Sequence, residues 1–179
     1  MSRHPRRASA FTLTEVVVAV GIIAVLTAIA WPALSLAVAK SHSTRCIANL
    51  RGLGVALNLY LADHQGVMPA LAAASASVTE DVRVIDTVLA PYAGNPGIFR
   101  CPADDRLAAE TGTSYFYNSA LGGQRVSNLN FLGLVEDASR IPVLVDKEGW
   151  HRVNPTRVNH LFADGHSSNE LRLFSEQGY

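Results

Sequence analysis

The sequence has no net charge and little cysteine, and each shortage narrows the possible functions. Its 15 basic residues balance 15 acidic ones, so a surface that neutralises many nucleic-acid phosphates is not expected. Its two cysteines, Cys46 and Cys101, lack the paired spacing of a structural zinc site. They form either one disulfide or two free thiols, depending on the compartment. The HExxH, GxSxG and P-loop patterns are also absent, so we predict no catalytic residue, cofactor or metal site.

A long apolar run near the N-terminus is the strongest feature that is present. Arg3, Arg6 and Arg7 precede it, and Val16–Ala39 contains no charged residue. This run exceeds the roughly 20 residues that a helix needs to cross a bilayer. The arginines favour a cytoplasmic N-terminus, so we predict a single-pass inner-membrane protein whose remainder is periplasmic or otherwise extracytoplasmic. In that oxidising compartment, Cys46 and Cys101 are expected to form a disulfide.

The start of this segment is unlike an ordinary secretory signal. Its small residues precede the apolar run instead of following it, and Glu15 lies inside a segment where carboxylates are costly. Ala10 followed by Phe11-Thr12-Leu13-Thr14-Glu15 resembles the class III signal of type IV pilins and type II secretion pseudopilins. The resemblance extends to Pro32 inside the apolar helix. One departure is Ala10, where the family usually has Gly.

The resemblance implies specific roles for these residues. A prepilin peptidase would cut between Ala10 and Phe11 and methylate the new N-terminus at Phe11. Glu15 would pair with the N-terminal amine of an adjacent subunit during assembly, and Pro32 would loosen the helix. The expected partners are prepilin peptidase, other pilin or pseudopilin subunits, an inner-membrane assembly platform with its secretion ATPase, and membrane lipid.

The remaining pattern divides the chain into four parts. We predict a removed leader over residues 1–10, a transmembrane helix over 11–39, its extracytoplasmic continuation over 40–65, and a globular domain over 66–179. The continuation is predicted from apolar residues that recur at spacings of three and four. These residues are Cys46, Leu50, Leu53, Leu57 and Tyr60.

The globular part contains signals for a short helix and several strands. Thr79-Glu80-Asp81 is typical of a helix start and leads into a predicted helix over 82–93. Asp164-Gly165 favours a tight hairpin turn. Strands are predicted at 115–117, 141–145, 158–163 and 171–174. Together these elements predict an α+β pilin-like fold, with a long N-terminal helix packed on a small antiparallel sheet.

A narrower resemblance covers most of the chain. Four phrases are similar to prepilin-type proteins with a C-terminal H-X9-DG domain: Cys46–Arg51, Phe99–Asp104, Ser114–Asn118 and Leu161–His166. In that signature, a His precedes Asp164 by ten positions. Position 154 is Asn154 in this chain, and the nearest upstream candidate is His151.

The leading interpretation is a structural, non-enzymatic subunit of a type II secretion-like or type IV pilus-like filament. One alternative is a membrane-anchored extracytoplasmic metal-binding or enzymatic module, because oxygen and imidazole groups are frequent near the C-terminus. Another is a minor pilin for DNA uptake or adhesion, which the charge balance disfavours. The candidate ligands for the metal-binding alternative are Asp146, Glu148, His151, His160, Asp164 and His166.

Overall fold

The computed structural model describes residues 12–171. The chain divides into two compact units, Met1–Val38 and Ala39–Tyr179. A single helix, α1, spans Leu13–Asp63 and contributes to both units. The helix runs through the predicted span and into its continuation, and it ends at Asp63, two residues before the predicted end at residue 65.

In the first unit, α1 is apolar on all sides. Every described residue from 12 to 38 is exposed, including Leu13 at 83% and Trp31 at 70%. Within the described residues, α1 is the one helix whose length and apolar composition would let it cross a membrane. An apolar helix that buries no face in its own chain requires an apolar environment from outside it.

In the second unit, α1 buries one face. The buried positions recur every three or four residues, as one stripe of a helix does. The helix ends where Gln65 and Gly66 adopt positive φ, and the Gly66 N–H donates to the Leu61 carbonyl at 2.8 Å. The buried residues of this face are Ser43, Cys46, Leu50, Leu53, Gly54, Ala56, Leu57, Tyr60 and Leu61.

The second unit also contains a four-stranded antiparallel sheet. The strands are β1 (Tyr115–Tyr117), β2 (Pro142–Asp146), β3 (His160–Phe162) and β4 (Ser167–Ser168). They lie in the order β1-β2-β3-β4. The register pairs residue 116 with 145, 145 with 160, and 161 with 167. This helix-and-sheet arrangement confirms the predicted α+β pilin-like fold.

The helix approaches the sheet closely at a glycine. A Cβ placed on Gly54 would lie 3.0 Å from Leu161 Cδ1 in β3. The absence of a side chain at Gly54 therefore lets the α1 backbone settle against the sheet. Further core side chains on both sides of this contact are Leu50, Leu53, Tyr115, Tyr117, Ile141, Val143 and Leu144.

Two local predictions were wrong. The helix expected to begin at Thr79–Asp81 begins later, because α2 covers Ile85–Leu89. The Glu80 carboxylate instead turns back and accepts a hydrogen bond from the Ala76 N–H at 2.7 Å, which favours a loop. The fourth strand is β4, whereas Leu171 is not in a strand and residues 172–174 lie outside the described range.

Short helical segments complete the second unit. Helix α3 covers Leu107–Thr111. Single turns of 3-10 helix occur at Ala90–Tyr92, Pro96–Phe99, Ser119–Leu121 and Val126–Asn128.

Candidate functional site

The first candidate site is the beginning of α1. The Thr12 N–H and the Thr12 hydroxyl both donate to Glu15 Oε2 at 2.8 Å, and the Glu15 N–H donates to Thr12 Oγ1 at 3.3 Å. This reciprocal arrangement is a capping box, in which a Thr and a Glu three residues later satisfy otherwise unpaired helix N–H groups. Thr12 is not among the predicted site residues, although the Thr-x-x-Glu spacing is a signal for a capping box.

Glu15 is exposed on an otherwise apolar helix. The surface around it is lined by Thr14, Val18, Ala19 and Ile22. Within residues 12–171, no cationic group forms an ion pair with Glu15. A charged carboxylate in such a setting is costly in lipid unless it finds a partner.

The other predicted residues of this segment have different outcomes. Ala10 and Phe11 lie outside the described residues, so cleavage and methylation there remain predictions. Pro32 lies within α1, which continues through it. Because proline has no N–H, Pro32 cannot donate the usual helical hydrogen bond to the backbone carbonyl four residues earlier.

Comparison with known proteins identifies the class of this N-terminus. A family model described as the prokaryotic N-terminal methylation motif matches residues 5–31. The chain fits a type IV pilin-like protein. No curated protein and no solved structure matches this pilin-like chain. Its motif implies processing by a prepilin peptidase and assembly with other pilin subunits, and the apolar helix that follows indicates a membrane anchor.

The second candidate site is a buried cluster in the domain of this pilin-like protein. Cys46 on α1 forms a disulfide with Cys101, 55 residues later in the chain. Asp146 at the end of β2 and His151 in the following loop complete the cluster. The ligating atoms of the four residues all lie within 4.8 Å of one another, and all four residues are buried.

Hydrogen bonds fix the Asp146 carboxylate in this cluster. Asp146 Oδ2 accepts from the Asn159 N–H at 2.7 Å and from Asn159 Nδ2 at 3.0 Å, and it lies 3.3 Å from His151 Nε2. Asn154 Nδ2 donates to Asn159 Oδ1 at 2.9 Å and to Ser43 Oγ at 2.9 Å. His151 therefore contacts Asp146. Asn154, at the signature position, bonds instead to Asn159, which holds the Asp146 carboxylate.

A second network holds Cys101 in place. The Cys101 N–H donates to Ser114 Oγ at 2.9 Å, and the Ser114 hydroxyl donates to Asp104 Oδ2 at 2.6 Å. The Asp104 carboxylate also accepts the backbone N–H groups of residues 106–108. Burial alone would raise the pKa of Asp104. The hydrogen bonds to its carboxylate outweigh burial and hold this pKa below its usual range, and the bond from the Ser114 hydroxyl contributes most among them.

The six candidate ligands of the metal-binding alternative do not form one site among the described residues. Asp146 and His151 meet in the buried cluster. Glu148 is exposed and pairs with Arg106 at 3.3 Å. The remaining three belong to the hairpin region: His160 is buried in β3, and Asp164 and His166 lie in the turn after it.

The hairpin turn explains Asp164 and Gly165 structurally. The Gly165 N–H donates to the Phe162 carbonyl at 2.9 Å, and Gly165 has a φ of 89°. Only Gly165 of the predicted pair adopts positive φ, which fits a type I turn followed by a left-handed glycine. Asp164 Oδ1 accepts from the His166 N–H at 3.0 Å and lies 2.6 Å from His166 Nδ1.

Proposed function

We propose that this chain is a non-catalytic structural subunit, a pseudopilin or minor pilin, of a type II secretion-like or type IV pilus-like filament. The observation that carries the proposal is the methylation motif at residues 5–31 on a helix that is apolar and exposed through residue 38. Subunits with such helices bury them first in lipid and then against one another. An assembly platform and its ATPase would drive that transfer.

The proposed topology places the leader in the cytoplasm and the folded domain outside it. The three leader arginines support this orientation through the positive-inside rule. A disulfide between Cys46 and Cys101 supports it independently, because disulfides persist in oxidising compartments. The buried acid and imidazole groups of the domain are closed to substrate, which supports a structural role.

Processing is the first test of this proposal. In cells with an active prepilin peptidase, we expect the membrane-extracted chain to begin at Phe11 with a methylated amine. Measurement of the intact mass detects both the loss of residues 1–10 and the added methyl group. A chain that retains its leader there, while a known prepilin in the same cells is cut, would refute the processing step.

Assembly is the second test, and the capping box allows a matched control. Glu15→Ala removes both the cap and the charge, whereas Glu15→Gln removes the charge and keeps a side chain that can cap. We expect both variants to insert in the membrane and both to lose filament yield in the sheared fraction, because assembly uses the charge. Val18→Ala, on the same surface, should assemble normally.

The outcome separates the charge from the cap. If Glu15→Gln assembles normally and Glu15→Ala does not, Glu15 acts as a helix cap only. If both variants assemble normally, Glu15 has no role in assembly. The machine itself is best assigned from neighbouring genes, where a secretion ATPase and a secretin would support the filament function.

A further inference from the structure

The buried cluster brings together the donor set that zinc prefers. Two sulfurs, one imidazole nitrogen and one carboxylate oxygen come from three chain segments, namely α1, the Cys101 segment and the end of β2 with the loop after it, and no residue of the four exceeds 3% exposure. Zn²⁺ binds Cys sulfur, His nitrogen and carboxylate oxygen in tetrahedral sites. In this structure the two sulfurs are joined to each other.

Three of the distances within this cluster are close to the edges of a zinc tetrahedron, and between them they involve both oxygens of the Asp146 carboxylate. Zinc–ligand bond lengths imply edges of about 3.3 Å between nitrogen and oxygen, about 3.5 Å between sulfur and either, and about 3.8 Å between two sulfurs. His151 Nε2 lies 3.3 Å from Asp146 Oδ2 and 3.4 Å from Cys101 Sγ. Cys46 Sγ lies 3.8 Å from Asp146 Oδ1. In the reduced chain the two sulfurs are no longer bonded to each other.

The surroundings of the cluster resemble the outer shell of a metal site. Asn159 fixes the Asp146 carboxylate, and the Tyr115 hydroxyl lies 3.6 Å from Cys46 Sγ, where it could donate to a thiolate. His151 Nδ1 is buried without a hydrogen-bond partner within residues 12–171. The polar contacts of His151 inside the cluster are made by Nε2, with Asp146 and Cys101.

We propose that this cluster is a redox-gated zinc site, occupied when the disulfide is reduced and closed when it forms. A dithiol reductant transfers two electrons and two protons to the disulfide, becoming a disulfide itself and leaving thiols at Cys46 and Cys101. Zn²⁺ then displaces both thiol protons and binds the two thiolates, His151 and Asp146. A disulfide oxidant then accepts two electrons from the two thiolates and, with two protons from solvent, becomes a dithiol, while Cys46 and Cys101 regain their disulfide and the ion is released.

This inference goes beyond the proposed filament function and does not depend on it. The ion would hold α1, the Cys101 segment and the end of β2 together before the disulfide forms. The same three segments are held by the disulfide and its neighbours afterwards. The metal and the disulfide are thus alternative cross-links between the same segments of the fold.

The test uses the full chain in detergent, reduced with dithiothreitol and then freed of it without oxygen. We expect the reduced chain to bind one Zn²⁺ per molecule and the oxidised chain to bind none. Co²⁺ should give thiolate-to-metal charge-transfer absorption that disappears when the disulfide is restored. His151→Gln and Asp146→Asn should each weaken binding by about tenfold or more.

Controls separate the site from unfolding and from surface binding. His166→Gln disrupts the exposed Asp164–His166 pair and should leave Zn²⁺ binding unchanged. Melting of each oxidised variant verifies its fold independently of metal. The proposal is overturned if the reduced chain binds no Zn²⁺, if bound Co²⁺ shows no thiolate absorption, or if His151→Gln binds as tightly as the unchanged chain.

Discussion

Two stretches of one helix behave in opposite ways. From residue 13 to 38, α1 exposes every side chain, whereas from 39 to 63 it buries a regular stripe. Both stretches are helical and rich in apolar residues, so helix formation alone does not separate them. The difference lies in what covers the apolar surface. The apolar face of the second stretch packs against other residues of the same chain, whereas the first stretch packs against none of the described residues.

This contrast teaches that the two stretches should respond to mutation in different assays. Changes in the second stretch and the elements around it should alter the stability of the domain. Changes in the first stretch should leave that stability intact and act only on insertion or assembly. Four predictions test the contrast, beginning with the largest expected effect.

Loss of the disulfide should give the largest loss of stability. We expect Cys101→Ser to lower the free energy of unfolding by about 2–4 kcal/mol, since it opens a loop of 55 residues. Membrane insertion should not change. Denaturant melts of the single variants and of the Cys46→Ser/Cys101→Ser double variant measure this. The double variant should lose no more than the worse single variant, and a loss equal to the sum of both would contradict the bond.

Glycine substitution contrasts the two stretches directly. Gly54→Leu should lower the free energy of unfolding by about 1–3 kcal/mol, because its side chain meets Leu161 in β3. Gly21→Leu should leave the domain's melting temperature unchanged, since no atom lies within 4 Å of a Cβ at Gly21. Thermal melts in detergent compare the pair. Equal losses from both variants would remove the distinction between the stretches.

The hairpin turn should show a smaller effect. Gly165→Val forces a β-branched residue to a φ of 89° and should destabilise the domain by about 1–2 kcal/mol. Asp164→Asn keeps the turn chemistry and should cost less than about 0.5 kcal/mol. Thermal melts rank the two variants. The reverse ranking, or loss of a divalent-metal-dependent rise in melting temperature in Asp164→Asn, would make Asp164 a ligand instead.

The smallest expected effect is a pH dependence of the domain. Burial lowers the pKa of His160, and the Asp146 carboxylate and a backbone group of Ser168 only partly offset it. The unfolded chain therefore takes up this proton first as the pH falls. Stability should be greatest above the unfolded pKa of about 6.5 and should fall as the pH drops toward the lower folded value.

Thermal melts between about pH 8 and pH 5, a range that includes the ordinary His pKa, measure this dependence. His160→Gln should flatten the decline, and His42→Gln, a half-buried position on α1, should retain it. A decline that is unchanged in His160→Gln would assign the pH dependence to another group.

Local pattern predicted most of the fold but not all of it. The existence of α1 and of three of the strands follows from apolar periodicity and residue type, which act over a few neighbours. Strand β4 consists of two serines, and it exists because its backbone pairs with β3. No residue preference at 167–168 could have indicated it. The helix start at residue 79 failed for a related reason, because Glu80 caps a preceding loop.

The candidate sites divide in the same way. The Thr12–Glu15 capping box joins residues three positions apart and could have been read from the sequence. The buried cluster joins residues about 50 to 100 positions apart, as in the contacts of Cys46 with Asp146 and of Cys101 with His151. Only the packed fold reveals that His151, and not position 154, reaches Asp146.

The position of the disulfide along α1 has a mechanical consequence. Cys46 is among the first buried residues that the chain reaches after the exposed stretch. A pull on that stretch therefore enters the domain at a covalent bond before it reaches the apolar contacts of Leu50 and Leu53. The bond carries tension directly to Cys101, so residues 47–100 form a loop that the force bypasses. A pull between the exposed stretch and the end of the sheet would therefore load the segments after Cys101 and spare residues 47–100.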